Sequence, residues 1–290
     1  MVWVSHPVEG LEISTDYIGD CEDRINGHPN ENCPASEKRS LSSPCLLLFL
    51  HLGEPDVHML TASSYHDALA SLSYRFVHLV EEAFNIPPHT FDAFFSAAGD
   101  SDHKSSFLPP QHRLKLLKYP PARDAATANR QGVGAHKDSS GWLTFLYQVG
   151  SEPGLEVLGR DGTWMAAPPL PDTFVVNFGN AFEAATDGAV CATVHRVRAP
   201  RKKTRYSIPF FMGLPLDLTV SEIRSYIPES VKRMRRDDEG EEAVRKTAVS
   251  SFLDPRWDSL GESQLRKWIR SHEDVARKWY GDEVTNYYVS

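Results

Sequence analysis

From residue 113 to residue 213 the chain runs through one short β-like segment after another. RLKLLKYPP, GWLTFLYQV, LEVLGRDGTWMAA, TFVVNFG, CATVHRVR and TRYSIPFFM are rich in branched and aromatic residues and are bounded by Gly, Pro, Asp and Asn. The Asp-Gly pair inside LEVLGRDGTWMAA reads as a hairpin turn, and the two prolines of LKYPP end a strand. Short antiparallel strands with tight turns build a sandwich or a jelly roll. No internal repeat and no GxGxxG-opened helix argues for a parallel α/β alternative.

The flanks are of a different kind, and the expected class is mainly β with flanking helices, in one structural unit. Residues 1–60 read as an irregular N-terminal segment, polar from Asp20 to Pro44, with CLLLFLHL (45–52) either a buried strand or the start of a core helix. Residues 61–110 read as helical and packed on the core. Tyr65, Leu69, Leu72, Phe76, Leu79, Val80 and Phe84 recur at helical steps until Asn85-Ile86-Pro87-Pro88 stops them, and a short helix follows in HTFDAFFSAAG. Residues 111–216 are the β core, and 217–290 a C-terminal helical extension. There Leu265, Trp268, Ile269, Val275 and Trp279 are spaced for one apolar face.

A net charge of -8 and a pI near 5.8 argue against a polyanion-binding protein, so nucleic acid is not expected as a partner. Cys21, Cys33, Cys45 and Cys191 show no CxxC spacing, which fits incidental thiols in a reduced cytoplasmic protein. No apolar run approaches the roughly 20 residues that span a bilayer, and the N-terminus lacks the pattern of a secretory signal. A small-molecule partner, no membrane, and a monomer or weak homo-oligomer are the expectations.

His136, Lys137 and Asp138 carry the first chemical signal. On an extended backbone, side chains two apart share a face, so one imidazole and one carboxylate enter a common space while Lys137 points away as a solvated spacer. A third ligand is available from His195, which alternates with Cys191, Thr193 and Val197 on the small, apolar face of its run. Two histidines and one carboxylate on one face of a metal leave the other face open, as in non-haem Fe(II) oxygenases. Arg205 and Ser207 repeat the two-residue spacing, and a guanidinium fork with a hydroxyl could anchor one end of a dicarboxylate whose other end chelates the metal. Singly, each of these residues has an ordinary structural reading. Their order and spacing together point to a metal site.

HKDSSGWLTFLYQ, VHRV and RYSIPFF resemble the HxD…H…RxS signature of the 2-oxoglutarate and Fe(II)-dependent oxygenases, specifically the isopenicillin N synthase-like group. The likeness extends through LKYPP, GLEVLGRDGTWMAAPPLPDTFVVNFGNAFEAATDG and FFMGLP, covering residues 62–216. It implies a double-stranded β-helix, or jelly roll, with iron held by His136, Asp138 and His195. It further implies 2-oxoglutarate bound by Arg205 and Ser207, with Tyr119 assisting. Asn177 and Gly179 match a family strand and read as structural. The sequence departs from the family in lacking an IPxIDL-type opening strand, and in having Leu117 where plant relatives have Asn.

The resemblance implies an enzyme using Fe(II), 2-oxoglutarate and O2 to oxidise an unactivated C–H bond by hydroxylation, desaturation or cyclisation, releasing succinate and CO2. It implies no catalytic residues beyond the metal ligands. The phrasing of GWLTFLYQVG and FFMGLPLDL resembles fungal members of secondary metabolism, and so suggests a small natural product as substrate. Lys115 and Leu117, by strand parity with Tyr119, and Phe210, just after the anchor, are candidate substrate contacts. Two rivals remain: an Fe(II) oxidase that uses no 2-oxoglutarate, and a non-catalytic jelly-roll binding module.

Overall fold

The strands assort into two antiparallel sheets. The computed structural model describes residues 2–5, 55–95, 107–122, 131–138, 141–159, 161–234 and 258–290. In the larger sheet the order is β1 (Val2–Ser5), β8 (Thr173–Phe178), β5 (Gly141–Val149), β10 (Arg205–Gly213) and β2 (Arg113–Leu114), with β3 (Leu117–Tyr119) also pairing with β10. The smaller sheet runs β4 (Gln131–His136), β9 (His195–Arg198), β6 (Leu155–Leu158) and β7 (Trp164–Ala166). Together they form the jelly-roll core, with helices on its outside.

Parity along the central strands divides two layers of packing. Ile208, Phe210 and Met212 on β10, Leu143 and Phe145 on β5, and Phe174 and Val176 on β8 join Tyr65, Leu69, Val77 and Val80 of α1 (Pro55–Ala83) in the larger apolar cluster. The alternate residues face the space between the sheets. There Val175 packs with Tyr119, Val133, Leu155, Val157 and Val197, and Leu146 lies against them. Strands buried on both faces lose simple alternation, and this is why GWLTFLYQV reads as a nearly continuous apolar run.

Several local expectations change. Val2–Ser5 lie in the stretch expected to be irregular, yet they pair with β8 from Val2↔Val176 to Ser5↔Thr173. The same stretch supplies the first turn of α1, which begins at Pro55. Proline suits this position because the first helical N–H has no intrahelical partner. Leu79, expected on the apolar face of α1, is exposed, while Val77 and Val80 turn inward. Trp279 is 73% exposed because the C-terminal periodicity does not run through one helix. α6 (Leu260–Ser271) ends before His272, whose backbone leaves helical angles, and α7 (Glu273–Val289) starts a new phase. The polar run from Asp20 to Pro44, CLLLFLHL, three of the four cysteines and residues 235–257 lie outside the described residues. Cys191 is a free thiol. Among the described residues no helix is long and apolar enough to cross a membrane.

His112 joins the α1 layer to β10. Its Nδ1 accepts from the Gly213 N–H at 3.2 Å and its Nε2 meets the Tyr74 hydroxyl at 2.8 Å, so the neutral ring protonated on Nε2 fits both bonds. Burial, helped by His66, pushes its pKa down to about 4. The unfolded chain takes up this proton near pH 6.5 and the folded protein only near 4, so stability should fall as pH drops through that window. Its contribution to the slope should approach about 1.4 kcal/mol per pH unit, one proton's worth. Urea unfolding between pH 7 and pH 4 checks this, and His112→Gln should remove that share of the slope, leaving the share due to His136, which burial also takes down to about 4.

Candidate metal centre

The register of β4 on β9 sets His136 opposite His195, and Val157 of β6 flanks His195 on its other side. Cross-strand partners share a face. The two imidazoles therefore lie with ring centroids 4.3 Å apart. Asp138 follows the end of β4, where its backbone carbonyl accepts from the Asn180 N–H at 2.8 Å. Its Oδ1 is 3.8 Å from His136 Nε2 and 3.6 Å from His195 Nε2.

Each ring is held from behind. His136 Nδ1 lies 2.8 Å from the Gly134 carbonyl, and His195 Nδ1 lies 2.9 Å from that of Thr193. A carbonyl only accepts, so each Nδ1 carries the proton and each Nε2 keeps a lone pair aimed at the side of Asp138. One ligand atom from each of the three residues lies within 4.8 Å of the others. That spacing suits a first-row ion bound at roughly 2.1 Å.

Electrostatics agree with a ligand set. Burial alone would raise the Asp138 pKa, but His195, His136 and a 2.9 Å hydrogen bond from Asn177 Nδ2 together hold it below the usual carboxylate range. Desolvation, with His195 beside it, takes His136 down to about 4, so this ring is neutral at physiological pH and needs no deprotonation to ligate. The His136 side chain is nevertheless 34% exposed, so the cluster opens to solvent on one side.

Lys137 is not a solvated spacer. It is buried, and its Nζ bridges both oxygens of Glu183 at 2.8 and 2.9 Å. It does point away from its neighbours' face, but that second face is covered by α3 (Asn180–Ala185), which carries Glu183. The ion pair and the Asn180–Asp138 bond thus pin the His136–Asp138 segment to α3 from two directions.

Further along the larger sheet, Arg205 pairs with Tyr119 and Ser207 with Leu117, and Ser207 also faces Gln148 across β5. Arg205 and Ser207 are fully enclosed. Arg205 Nη2 donates to Gln148 Oε1 at 2.8 Å, and its guanidinium carbon sits 5.1 Å from the centre of the Tyr119 ring. Its Nε and Nη1 are buried with no hydrogen-bond partner among the described residues. Two buried donors without a partner on an enclosed guanidinium call for an acceptor, and a carboxylate supplies one. Burial raises the Tyr119 pKa against the opposing pull of Arg205 and Ser207, so the phenol stays protonated and able to donate.

Among the candidate substrate contacts, Leu117 faces the space between the sheets and packs on the Tyr119 layer. Lys115 is exposed at its rim, with Nζ 5.5 Å from the Phe211 ring centre. Phe210 must be reassigned: it is fully buried on the α1 side, against His66 and His112. Successive residues of a strand face opposite ways, so Phe211 shares the face of Arg205 and Ser207. Asn177, Gln148 and Glu183 support the site although motif and spacing assign them no such role. A polar side chain within an apolar strand is the signal for Asn177 and Gln148, since buried polar groups need partners.

A second cluster, His78, His89 and Asp92, lies near the end of α1. Both Asp92 oxygens already accept, from His78 Nε2 at 2.7 Å and His89 Nδ1 at 2.8 Å, and both imidazoles are exposed. It reads as a surface ion-pair network.

Residues 110–214 match the 2OG-Fe(II) oxygenase superfamily. The chain carries a domain of this superfamily. Members of the 2OG-Fe(II) oxygenases use Fe(II), 2-oxoglutarate and O2. The 2-oxoglutarate-dependent dioxygenase frbJ of Dothideomycetidae sp. (strain 11243) is 35% identical over 219 residues, 74% of this chain and 56% of that protein. A 2-oxoglutarate-dependent dioxygenase of Gibberella zeae is 29% identical over 232 residues, 76% of this chain and again 56% of that protein. The chain thus spans about half the length of these curated relatives. A solved full-length Neurospora crassa protein in complex with alpha-KG and thymine shares the fold, with a TM-score of 0.50 at 23% identity over 67% of this chain and 57% of that one.

Proposed function

We propose that residues 111–216 are the catalytic core of a non-haem Fe(II)- and 2-oxoglutarate-dependent oxygenase acting on a C–H bond of a small natural product, in the cytoplasm. The supporting observation is the presence in one barrel of two converging imidazole lone pairs beside Asp138 and an enclosed Arg205 with two unused donors. His136, Asp138 and His195 would hold Fe(II). Arg205, Ser207 and Tyr119 would hold the far carboxylate of 2-oxoglutarate. The frbJ and Gibberella zeae relatives are both named 2-oxoglutarate-dependent dioxygenases, in keeping with this reading.

When bound, the iron and 2-oxoglutarate supply the oxidation of substrate by O2, with release of succinate and CO2. The chain's own residues orient and enclose. The Gly134 and Thr193 carbonyls fix the two imidazole planes, and the Asn177 amide fixes the Asp138 carboxylate. Gln148 holds the Arg205 fork in place, and the apolar layer of Val133, Leu155, Val157 and Val197 keeps water from its surroundings. Asp138 and the histidines serve as ligands and transfer no proton.

The test is O2-dependent succinate formation from 2-oxoglutarate by the Fe(II)-loaded protein, stoichiometric with substrate oxidation. Substrate oxidation without succinate would favour the oxidase alternative. Arg205→Lys should raise the apparent KM for 2-oxoglutarate tenfold or more, since the charge-assisted bonds of the fork are worth about 1.5–3 kcal/mol and a point charge cannot reproduce them. A change in substrate affinity alone would again favour the oxidase.

A further inference from the structure

The metal cluster lies at one end of a row of side chains that crosses the larger sheet. Asn177, which holds Asp138, is the partner of Thr144; Thr144 pairs with Phe211, and Phe211 with Arg113. Partners across adjacent strands share a face, so Arg113 belongs to the face that carries Thr144, Asn177 and the 2-oxoglutarate anchor. Two residues along, the Lys115 ammonium stands over the Phe211 ring, and its backbone N–H donates to the Pro209 carbonyl at 3.0 Å.

A third cation arrives from the C-terminal helix. The first turn of α6 is tied to the segment after β10 by Leu260 N–H to the Leu218 carbonyl at 3.0 Å and Gly261 N–H to the Leu216 carbonyl at 2.8 Å. Lys267, two turns along, interacts electrostatically with Asp138, Lys115 and Arg113, and its charge is felt at His136. Its side chain is exposed to solvent, yet surrounding protein desolvates the ammonium and lowers its pKa. Lys267 makes no hydrogen bond or ion pair to a described side chain. Among the described groups that act on Lys267, Asp138 is the one carboxylate, and a carboxylate that binds a metal is neutralised by it.

This cationic group is separate from the 2-oxoglutarate anchor. Arg205 and Phe211 are six residues apart along β10, about 20 Å at the rise of a strand, more than a five-carbon diacid spans. We propose that Arg113, Lys115 and Lys267 bind a carboxylate of the substrate at the mouth of the metal site, with Phe211 as the apolar surface beside it, so that the substrate class is a small organic acid. The proposal rests on the oxygenase reading for its metal, and gives the C-terminal extension a part in substrate choice.

The test uses the whole chain loaded with Mn(II), with and without 2-oxoglutarate, and three acid/amide probe pairs: benzoate and benzamide, phenylacetate and phenylacetamide, N-acetylglycine and N-acetylglycinamide. Paramagnetic relaxation of probe protons reports residence near the metal. The acid of each pair should relax at least fivefold faster than its amide. Lys267→Gln, a change at an exposed helix position, should cut that preference several-fold, and Lys267→Glu should abolish or invert it. Equal relaxation of acids and amides, or a preference untouched by either substitution, overturns the proposal. Failure of 2-oxoglutarate to bind the Mn(II) protein would count against the oxygenase reading alone, because the probe comparison without it still reports on the cations.

Discussion

His195→Ala should abolish the proposed metal-dependent turnover and should weaken Fe(II) binding by more than the roughly 10–100-fold that loss of a mere hydrogen-bonding partner of a ligand costs. Of the three groups that converge on the centre, it removes the imidazole nearer to Asp138, 3.6 Å from the carboxylate. What remains is one carboxylate and one imidazole on the β4 side, with nothing from β9 to close the face. The fold should persist, because the pairing of β9 with β4 and β6 is carried by the backbone. Equilibrium dialysis with Fe(II) or Co(II), alongside a thermal melt, separates ligand loss from unfolding. Activity equal to that of the unaltered protein would remove His195 from the site.

Breaking the buried Lys137–Glu183 pair destabilises the protein by about 3–5 kcal/mol, the cost of stranding one charge away from water. Both side chains are almost wholly enclosed, at 6% and 5% exposure, so solvent cannot compensate the survivor. Lys137→Met and Glu183→Gln should each show this loss in urea unfolding. The double variant Lys137→Met, Glu183→Leu should recover much of it, since an apolar pair of similar volume needs no desolvation. Metal affinity should stay reduced in all three, because the pair fastens the segment between the ligands to α3. Single variants within 1 kcal/mol of the unaltered protein, on the order of an exposed pair, would show that the bridge is not closed to water.

The β core and the convergence of His136, Asp138 and His195 were legible because both depend on short-range periodicity. The two-residue spacing of His136 and Asp138 carries their shared direction directly, and the apolar alternation around His195 turns it inward. Lys137 was misjudged for a physical reason: parity states that a side chain faces the other way and leaves open what covers that face, here α3. Phe210 and Phe211 illustrate the same rule in reverse. Counting from Arg205 and Ser207 gives Phe211 the inner face, so the assignment of Phe210 set position in sequence above parity. β1 escaped notice because its partner β8 lies some 170 residues away and a four-residue strand has no pattern of its own. Trp279 was placed on an apolar face because the break at His272 resets the helical phase, and nothing in the sequence as strong as a proline marks it.

The most direct measurement is anaerobic titration of the Fe(II)-loaded protein with 2-oxoglutarate, followed by visible absorption. A weak charge-transfer band that saturates at one equivalent of each, and that is lost in His195→Ala, is the predicted result. A protein that takes up zinc but gives no band with Fe(II) and 2-oxoglutarate would contradict it, and would leave a jelly-roll binding module in its place.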